Sequence, residues 1–320
     1  MRVIKFTGLI AVLFALAFLT FSVVSDAQRS DSVKKDDSSK SNIIDAKSLI
    51  EDIKYLSSDK LKGRETGTAE SGTARQYILK RFGQSGIKPL KKSYIQKFSF
   101  TDQKENKFDG VNVFGFIKGK TSPNKYIVIS AHYDHVGVNN GEIYNGADDN
   151  ASGTSALFAI AKYFKKNKPN NSIIFAAFDA EEKGLQGARY FVDNLPVSQS
   201  DILLNINMDM VSRNDKGELY AAGTFHYPNL KPYIEAVQKN APVKLLLGHD
   251  DPKLGRDDWT FQSDHGAFHR KKIPFIYFGV EDHKDYHKPT DDFENIQPKF
   301  YVNAVETIVM AVKSIDENWK

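Results

Sequence analysis

Short apolar segments alternate with amphipathic ones along most of the chain, and this pattern predicts the elements of the fold. Four segments rich in branched and aromatic residues are typical of strands that are buried on both faces. They are YIVISA at 126–131, SIIFAAF at 172–178, ILLNINM at 202–208 and IPFIYF at 273–278. Elsewhere apolar residues recur at helical spacing, which predicts amphipathic helices. These helices cover residues 67–86 and 152–166 and a last segment that begins near Pro298.

The alternation of strands and helices indicates the α/β class. Connections of this kind favour parallel pairing of the strands, with helices packed on both faces of the sheet. We therefore expect a three-layer α/β/α sandwich around a twisted, mixed but mostly parallel sheet. Such sheets bind ligands at the carboxyl ends of their strands. Polar residues that directly follow a strand are thus the first candidates for chemistry.

Composition limits that chemistry. The chain contains no cysteine, which excludes disulfides, thiolate metal ligands and a cysteine nucleophile. Any metal site must be built from His, Asp and Glu. The formal net charge of +4 is spread along the 320 residues and does not indicate a nucleic-acid partner.

The N-terminal segment predicts export. Residues 1–27 carry Arg2 and Lys5, then an apolar run, then the small residues Ser25 and Ala27, the pattern of a cleaved signal peptide. An uncleaved membrane anchor is the alternative, since the uncharged run is long. We expect a secreted or periplasmic protein without membrane attachment after cleavage.

The rest of the chain divides into two parts. Residues 28–45 are mostly Ser, Lys and Asp, which predicts a flexible spacer. Residues 46–320 are long enough for one large α/β domain with its own core. We expect this segment to form a single domain and the protein to be a monomer.

The segment NGADDNASG at 145–153 places two carboxylates side by side, Asp148 and Asp149, with no basic residue in the stretch. Adjacent anions repel each other, so a counter-charge is expected. A turn that caps the next helix is the alternative interpretation, because Asn, Gly and Asp are ordinary turn formers.

Candidate ligands follow each of the four strands. HYDH follows the first strand, DAEE the second and Asp209 the third, while Tyr286 and His287 lie a few residues beyond the fourth. Turns seldom choose His and Glu repeatedly. We infer a metal site made of His132, Asp148, Glu182, Asp209 and His287. Five such ligands suit two zinc ions that share one carboxylate, with Co²⁺ or Mn²⁺ as possible substitutes.

Two neighbouring carboxylates are expected to support this site. Asp134 lies two residues after His132, so in an extended chain it can accept a hydrogen bond from the distal imidazole N–H and orient the ring. Glu181 adjoins Glu182, and because successive side chains diverge, one can bind metal while the other acts as a base.

Together the motifs HYDH, NGADDNASG, DAEEKGLQGARYF, NMDM and YHKPTDD resemble, in order and spacing, those of the co-catalytic zinc aminopeptidases of the bacterial leucyl aminopeptidase type. The larger family also holds glutamate carboxypeptidases, glutaminyl cyclases and transferrin-receptor-like proteins. The resemblance covers essentially all of residues 46–320. It implies the zinc-peptidase (phosphorylase/hydrolase-like) fold.

The resemblance also implies a role for each site residue. Asp148 is expected to bridge two zinc ions, His132 and Asp209 to complete one, and Glu182 and His287 to complete the other. Glu181 corresponds to the general acid/base and Asp134 to the partner of His132. Tyr286 resembles a tyrosine that hydrogen-bonds the oxyanion, although packing under the site would equally explain it. In such relatives the peptide bond between the two aspartates, here Asp148 and Asp149, is typically cis.

The implied activity is that of a di-zinc exopeptidase, an aminopeptidase that removes N-terminal residues from peptides with a free N-terminus through a metal-bridging hydroxide. A glutaminyl cyclase is the first alternative. A glutamate carboxypeptidase-like enzyme is the second, with Arg213 or Arg256 binding the terminal carboxylate. A binding module that has lost its metals is the non-enzymatic alternative.

Several residues have simpler interpretations. We expect Asp264 to cap a short helix. Aromatic residues in 214–262, among them Trp259, could line a pocket or pack in the core. The remaining histidines are expected to be surface or packing residues; they are His135, His226, His249, His265, His269 and His283.

Overall fold

The computed structural model describes residues 43–102 and 104–319. The predicted signal peptide and nearly all of the predicted spacer lie outside these residues. Among the helices that the structure describes, none is long and apolar enough to cross a membrane.

The secondary structure includes seven α-helices and ten strands within the described residues. The helices are α1 (Ala46–Leu56), α2 (Ala69–Ser85), α3 (Gly153–Lys166), α4 (Gln186–Asp193), α5 (Lys231–Gln238), α6 (His265–Arg270) and α7 (Pro298–Asn318). The strands are β1 (Ile95–Thr101), β2 (Lys107–Ile117), β3 (Ser122–His132), β4 (Gly137–Asn139), β5 (Glu142–Tyr144), β6 (Asn171–Phe178), β7 (Ile202–Met208), β8 (Glu218–Ala222), β9 (Lys244–Leu247) and β10 (Phe275–Gly279). All four predicted strands and all three predicted helices are present.

Eight strands form one mixed sheet in the order β1-β2-β6-β3-β7-β10-β8-β9. The four predicted strands are its centre, and they pair in parallel from β6 through β3 and β7 to β10. The outer strands β1, β2 and β8 introduce the antiparallel pairs. The prediction of a mixed, mostly parallel sheet is therefore confirmed.

The central strands contribute side chains to two separate cores, because successive side chains point to opposite faces of the sheet. In β3, Ile127 and Ile129 join a large core with α1, α2, α3, α5 and α7. Val128, between them, joins a smaller core on the opposite face with residues of α4 and α6, such as Phe191 and Phe268. Helices thus cover both faces, which is the predicted three-layer arrangement.

Local sequence signals explain where the long helices start and stop. Thr68 caps α2, its side chain accepting a hydrogen bond from the Ser71 N–H, and Gly86 ends the helix in the left-handed region at φ +83°. Pro298 occupies the first turn of α7. The apolar face predicted for α7 is buried throughout; it consists of Val302, Val305, Ile308, Val309, Val312 and Ile315.

The parallel centre brings the polar residues that follow its strands to one edge of the sheet. His132 ends β3, and Asp209 directly follows β7, the neighbouring strand. Glu181 and Glu182 follow β6 on the other side of β3. The polar residues of these three segments therefore lie at the same edge, as the sequence predicts.

Candidate metal centre

A cavity at this edge is lined by acidic residues and one of the predicted histidines. The carboxylates come from Asp149, Glu181, Glu182, Asp209 and Asp282, and His287 adds an imidazole. Five carboxylates in one cavity repel each other unless a positive charge lies among them.

One half of the site is built around His132. Its Nε2 lies 3.3 Å from Asp149 Oδ1 and 3.3 Å from Asp209 Oδ1. Glu181 belongs to the same group, since it offers an oxygen within 4.8 Å of ligand atoms of His132 and Asp209. His132 is 1% exposed, so this half is shielded from solvent.

The other half is built around His287. Its Nε2 lies 3.0 Å from Asp149 Oδ2 and 3.3 Å from Glu182 Oε2. Asp149 therefore presents one oxygen to each half of the site. A carboxylate shared in this way is the arrangement expected between two neighbouring cations.

The prediction that Asp148 is the shared carboxylate is wrong. Asp148 Oδ1 accepts hydrogen bonds from the Ser212 N–H at 2.6 Å and from the Ser212 hydroxyl at 2.8 Å. Its Oδ2 lies 3.0 Å from Nε2 of His283, which sequence reasoning treated as a surface or packing residue. The two aspartates have thus exchanged the expected roles, with Asp149 in the cavity and Asp148 tying the loop.

The backbone of the loop also differs from the expectation. The cis peptide bond joins Asp149 to Asn150, not Asp148 to Asp149 as expected. Gly146 lies at φ +56°, and a Cβ there would come within 2.0 Å of the Asp149 carbonyl oxygen. Side-chain direction follows this tight path, which the spacing of two identical neighbours does not reveal.

Asp291 holds the same loop from the other side. Its Oδ1 accepts the Asp148 N–H at 2.9 Å, and its Oδ2 accepts the Asp149 N–H at 3.0 Å. Asn150 Nδ2 donates to the Met208 carbonyl at 2.9 Å. The YHKPTDD motif thus supplies both His287 and the carboxylate that positions the backbone of Asp149.

Asp134 supports the site differently from the prediction. His132 Nδ1 lies 3.1 Å from the Asp134 carbonyl oxygen but 3.7 Å from its carboxylate. The carboxylate instead accepts the backbone N–H groups of Glu181 at 3.0 Å and Glu182 at 3.3 Å. The reason is that β3 ends at His132, so the extended geometry on which the prediction depended does not continue to Asp134.

Other predicted residues are distributed around the cavity. Tyr286 lines it and stacks on the His287 ring with centroids 4.0 Å apart. Trp259 also lines it, whereas Phe225 and Phe261 are exposed. Asp264 makes no capping hydrogen bond at the start of α6, so its predicted role is wrong.

The two adjacent glutamates have opposite electrostatic properties. Burial raises the pKa of Glu181 well above its usual range; His132 opposes this shift, and Asp209 adds to it. Burial and Asp149 would also raise the pKa of Glu182, but the imidazoles of His135 and His287 lower it to about 2. Environments that separate the pKa values of two carboxyls in this way distinguish a proton carrier from a permanent anion.

The pKa values of His132 and Asp149 are likewise set by opposite charges nearby. Burial alone would lower the pKa of His132, but Asp209 and Glu181 raise it well above its usual range. Burial would raise the pKa of Asp149, yet His135 and the two other imidazoles hold it well below normal. The site is an array of opposite charges in close contact, in which His132 and Asp149 are buried and His287 is partly exposed.

These donors fit divalent cations of the zinc type. Imidazole nitrogens and carboxylate oxygens are the ligands that zinc takes when thiolates are absent. Glu182 Oε1 is buried and, within the described residues, has no hydrogen-bond partner. A buried anionic oxygen of this kind requires a positive partner.

Sequence reasoning missed His135. It lies 2.8 Å from Glu182 Oε1 through Nδ1 and is 1% exposed. The signal was present in HYDH, whose second histidine lies three residues after His132. A position beyond the end of the strand has no fixed direction, so spacing alone did not distinguish it from a packing residue.

Comparison with known proteins places the chain in a family. Residues 112–312, more than half of the chain, match peptidase family M28. The aminopeptidase YwaD of Bacillus subtilis (strain 168) is 29% identical over 262 residues, which cover 79% of this chain and 52% of the relative. The chain thus spans about half the length of that relative.

Solved structures share the fold. A zinc aminopeptidase from Bacillus subtilis aligns with a TM-score of 0.69 at 19% identity, over 86% of this chain and 96% of that one. Porphyromonas gingivalis glutaminyl cyclase aligns with a TM-score of 0.68 at 19% identity, over 85% and 99%. At this identity the likeness concerns the fold alone. Because the family match extends over residues 112–312, the chain belongs to peptidase family M28.

Proposed function

We propose that the chain is a two-zinc aminopeptidase that hydrolyses the N-terminal residue of peptides. The observation that carries this proposal is that Asp149 directs its two oxygens to different histidines, His132 and His287. In this proposal His132, Asp149 and Asp209 hold one ion, and Asp149, Glu182 and His287 hold the other. Family membership supports a metallopeptidase, and the similarity to YwaD supports the aminopeptidase class.

Glu181 is the proton carrier in this proposal. Bound zinc supplies Lewis-acid activation of water and of the scissile carbonyl. Glu181 lines the cavity beside His132 and Asp209 and has a raised pKa because of burial. It can therefore accept a proton from the attacking water and deliver it to the departing amine, which is too basic to leave unprotonated.

The remaining cavity residues would bind the substrate. Asp282 lies outside the proposed ligand set but lines the same cavity, and its carboxylate would favour a positively charged free N-terminus over a blocked end. Tyr286 lines the same cavity, and its hydroxyl would donate a hydrogen bond to the developing oxyanion. Trp259 forms an aromatic wall, which suits a neutral or apolar first residue.

The decisive experiment compares Glu181→Gln with Glu182→Gln in the purified protein. We expect Glu181→Gln to retain its zinc but to lose roughly 10²–10⁴-fold in kcat on aminoacyl anilides, because only proton transfer is removed. Glu182→Gln should lose zinc, because a proposed ligand is replaced. A chelator should abolish the wild-type activity and added zinc restore it. Hydrolysis that is indifferent to the chelator and to Glu181→Gln would eliminate the proposal.

A glutaminyl cyclase is the second candidate, since enzymes of that kind share the fold as closely as a zinc aminopeptidase does. The two complete halves of the site favour the hydrolase. Peptides that begin with glutamine distinguish the two functions. A cyclase releases ammonia from them and no amino acid, whereas an aminopeptidase releases free glutamine.

The carboxypeptidase alternative has less support from the side chains available. Arg213, one of the two arginines considered for a terminal carboxylate, is paired with Asp285. Arg256 lies on the turn Pro252–Asp257 and is exposed. Cleavage of a peptide with a blocked N-terminus but a free C-terminus would favour this alternative over ours.

We further propose that the protein is exported, cleaved after Ala27, and acts as a secreted or periplasmic monomer. The charged, apolar and small-residue segments of the N-terminus support export. Mass spectrometry of the protein from its native host should find a mature chain that begins at Gln28. A membrane-bound chain with an intact N-terminus would indicate the anchor instead.

A further inference from the structure

His135 has no role in the set of metal ligands proposed above, yet it lies inside the second half of the site. It follows β3 by three residues, and its side chain is fully shielded from solvent. Its ring packs over Gly146, where an added Cβ would come within 2.5 Å of the ring carbons. The glycine in the loop thus provides the space in which this imidazole lies.

Nδ1 of His135 faces the ligands of the second ion. Nδ1 lies 2.8 Å from Glu182 Oε1 and 3.7 Å from Asp149 Oδ2. His287 approaches the same two carboxylates from another direction, and the two imidazole rings are 5.7 Å apart. Ligand atoms of His135, Asp149 and Glu182 all lie within 4.8 Å of one another.

These short approaches are not hydrogen bonds. Within the described residues, the two ring nitrogens of His135 have no hydrogen-bond partner, and neither does Oε1 of Glu182. Buried polar atoms are almost always paired, so Nδ1 of His135 and Oε1 of Glu182, both unpaired and 2.8 Å apart, require an explanation. Atoms that converge on a common point, without aiming at each other, are typical of ligands arranged around a cation.

We propose that His135 is a fourth protein ligand of the second ion, beside Asp149, Glu182 and His287. The proposal rests on the two-ion site of the proposed function. Two nitrogens and two oxygens form a complete tetrahedral set for zinc. The second ion would then be held mainly by the protein, and the ion at His132 would be the one with open positions for water and substrate.

A simpler role would be that His135 positions Glu182 by donating a hydrogen bond to Oε1. That role requires the Nδ1–H bond to point at the oxygen, an alignment the structure lacks. The two roles predict different coordination of the bound ion, and this difference can be measured without any substrate.

The test uses the full mature chain with its metals. Wild-type protein and His135→Asn are titrated with Co²⁺, and His226→Asn serves as the matched control because His226 Nε2 bonds Thr260 outside the site. We expect His135→Asn to weaken one of the two Co²⁺ affinities by at least about 10-fold and to change the visible cobalt spectrum. The control should change neither.

X-ray absorption of the zinc-loaded wild type gives a readout that does not depend on a variant's folding. It should count three imidazoles over two ions, from His132, His135 and His287. Equal affinities and spectra in His135→Asn overturn the proposal, and so does a count of only two imidazoles, which would make His135 a positioning residue. A chain with three imidazoles that releases no amino acid would refute the proposed function and leave the ligand assignment standing.

Discussion

Asp149 and Asp148 differ only in direction, and that difference determines their chemistry. Asp149 faces His132 and His287, whereas Asp148 faces Ser212 and His283. A carboxylate between two imidazoles can bind cations. A carboxylate that accepts hydrogen bonds from a backbone N–H and a hydroxyl is stabilised by these donors, and it fixes the conformation of its loop.

Replacing each aspartate by asparagine should therefore separate metal binding from loop stability. We expect Asp149→Asn to lose at least one of two zinc ions and nearly all activity, because the shared anion is removed. Asp148→Asn keeps an acceptor for Ser212 and should retain both ions, with a loss of about 1 kcal/mol in the free energy of unfolding. Metal analysis after dialysis and anilide hydrolysis provide the measurements. Metal loss in Asp148→Asn together with retention in Asp149→Asn would contradict this assignment.

For single residues, the sequence predicted the type of metal site better than it predicted which residues form it. His132, Glu182, Asp209 and His287 all meet at the predicted edge because each follows a central strand. Asp148 was misplaced because two identical neighbours differ only through a backbone path set by long-range contacts with Asp291. No local pattern records that path.

Arg64 links the elements around the loop that carries Asp148 and Asp149. It is 1% exposed and donates to four backbone carbonyls, those of Leu56, Tyr133, Asn145 and Gly146. These carbonyls lie at the end of α1, after β3 and after β5. One planar guanidinium thus holds together three segments of the chain by hydrogen bonds to their backbone carbonyls.

Arg64→Lys should destabilise the protein although the charge is kept. A lysine ammonium cannot reach carbonyls on three segments with the geometry of a guanidinium, so buried acceptors lose their donors. We expect the free energy of unfolding to fall by about 2–4 kcal/mol, measured as a lower urea midpoint. The exposed Arg189 provides the matched control, since Arg189→Lys should stay within about 0.5 kcal/mol of wild type. Unfolding of Arg64→Lys at the wild-type midpoint would show that these bonds add nothing.

Element prediction succeeded where burial was deep and failed at the borders of the sheet. The central strands are continuous apolar runs because both faces are covered. The outer strands β1 and β2 mix exposed and buried residues, and β8 and β9 have only five and four residues. Their pairing depends on neighbours in the sheet more than on their own sequence.

At the scale of the whole molecule, the burial of acidic residues around the cavity opposes their ionisation. Burial raises the pKa of Asp264 to about 8 and the pKa of Asp291 to about 7. Stability from such groups is fully present below their unfolded pKa of 3.8 and is lost as the pH rises through the folded values. The pKa of Glu182, lowered to about 2, has the opposite effect in a separate window, where stability is lost as the pH falls from about 4.5 to 2.

Removing the metals should therefore destabilise the protein more at high pH than at low pH. Between about pH 5 and pH 8, the metal-free melting temperature should fall because the folded state still binds protons at Asp264 and Asp291 that the unfolded chain has already released. Zinc competes with protons for its ligands and binds more tightly as the pH rises, so the gap between the zinc-loaded and chelated proteins should widen. At free zinc of about 1,000 times Kd the stabilisation is about 4 kcal/mol, which corresponds to about 10 °C. Thermal melts of both forms across this range measure the gap, and Asp149→Asn should show little of it. A gap that narrows with rising pH, or a melting temperature unaffected by the chelator, would contradict a cation-neutralised cavity.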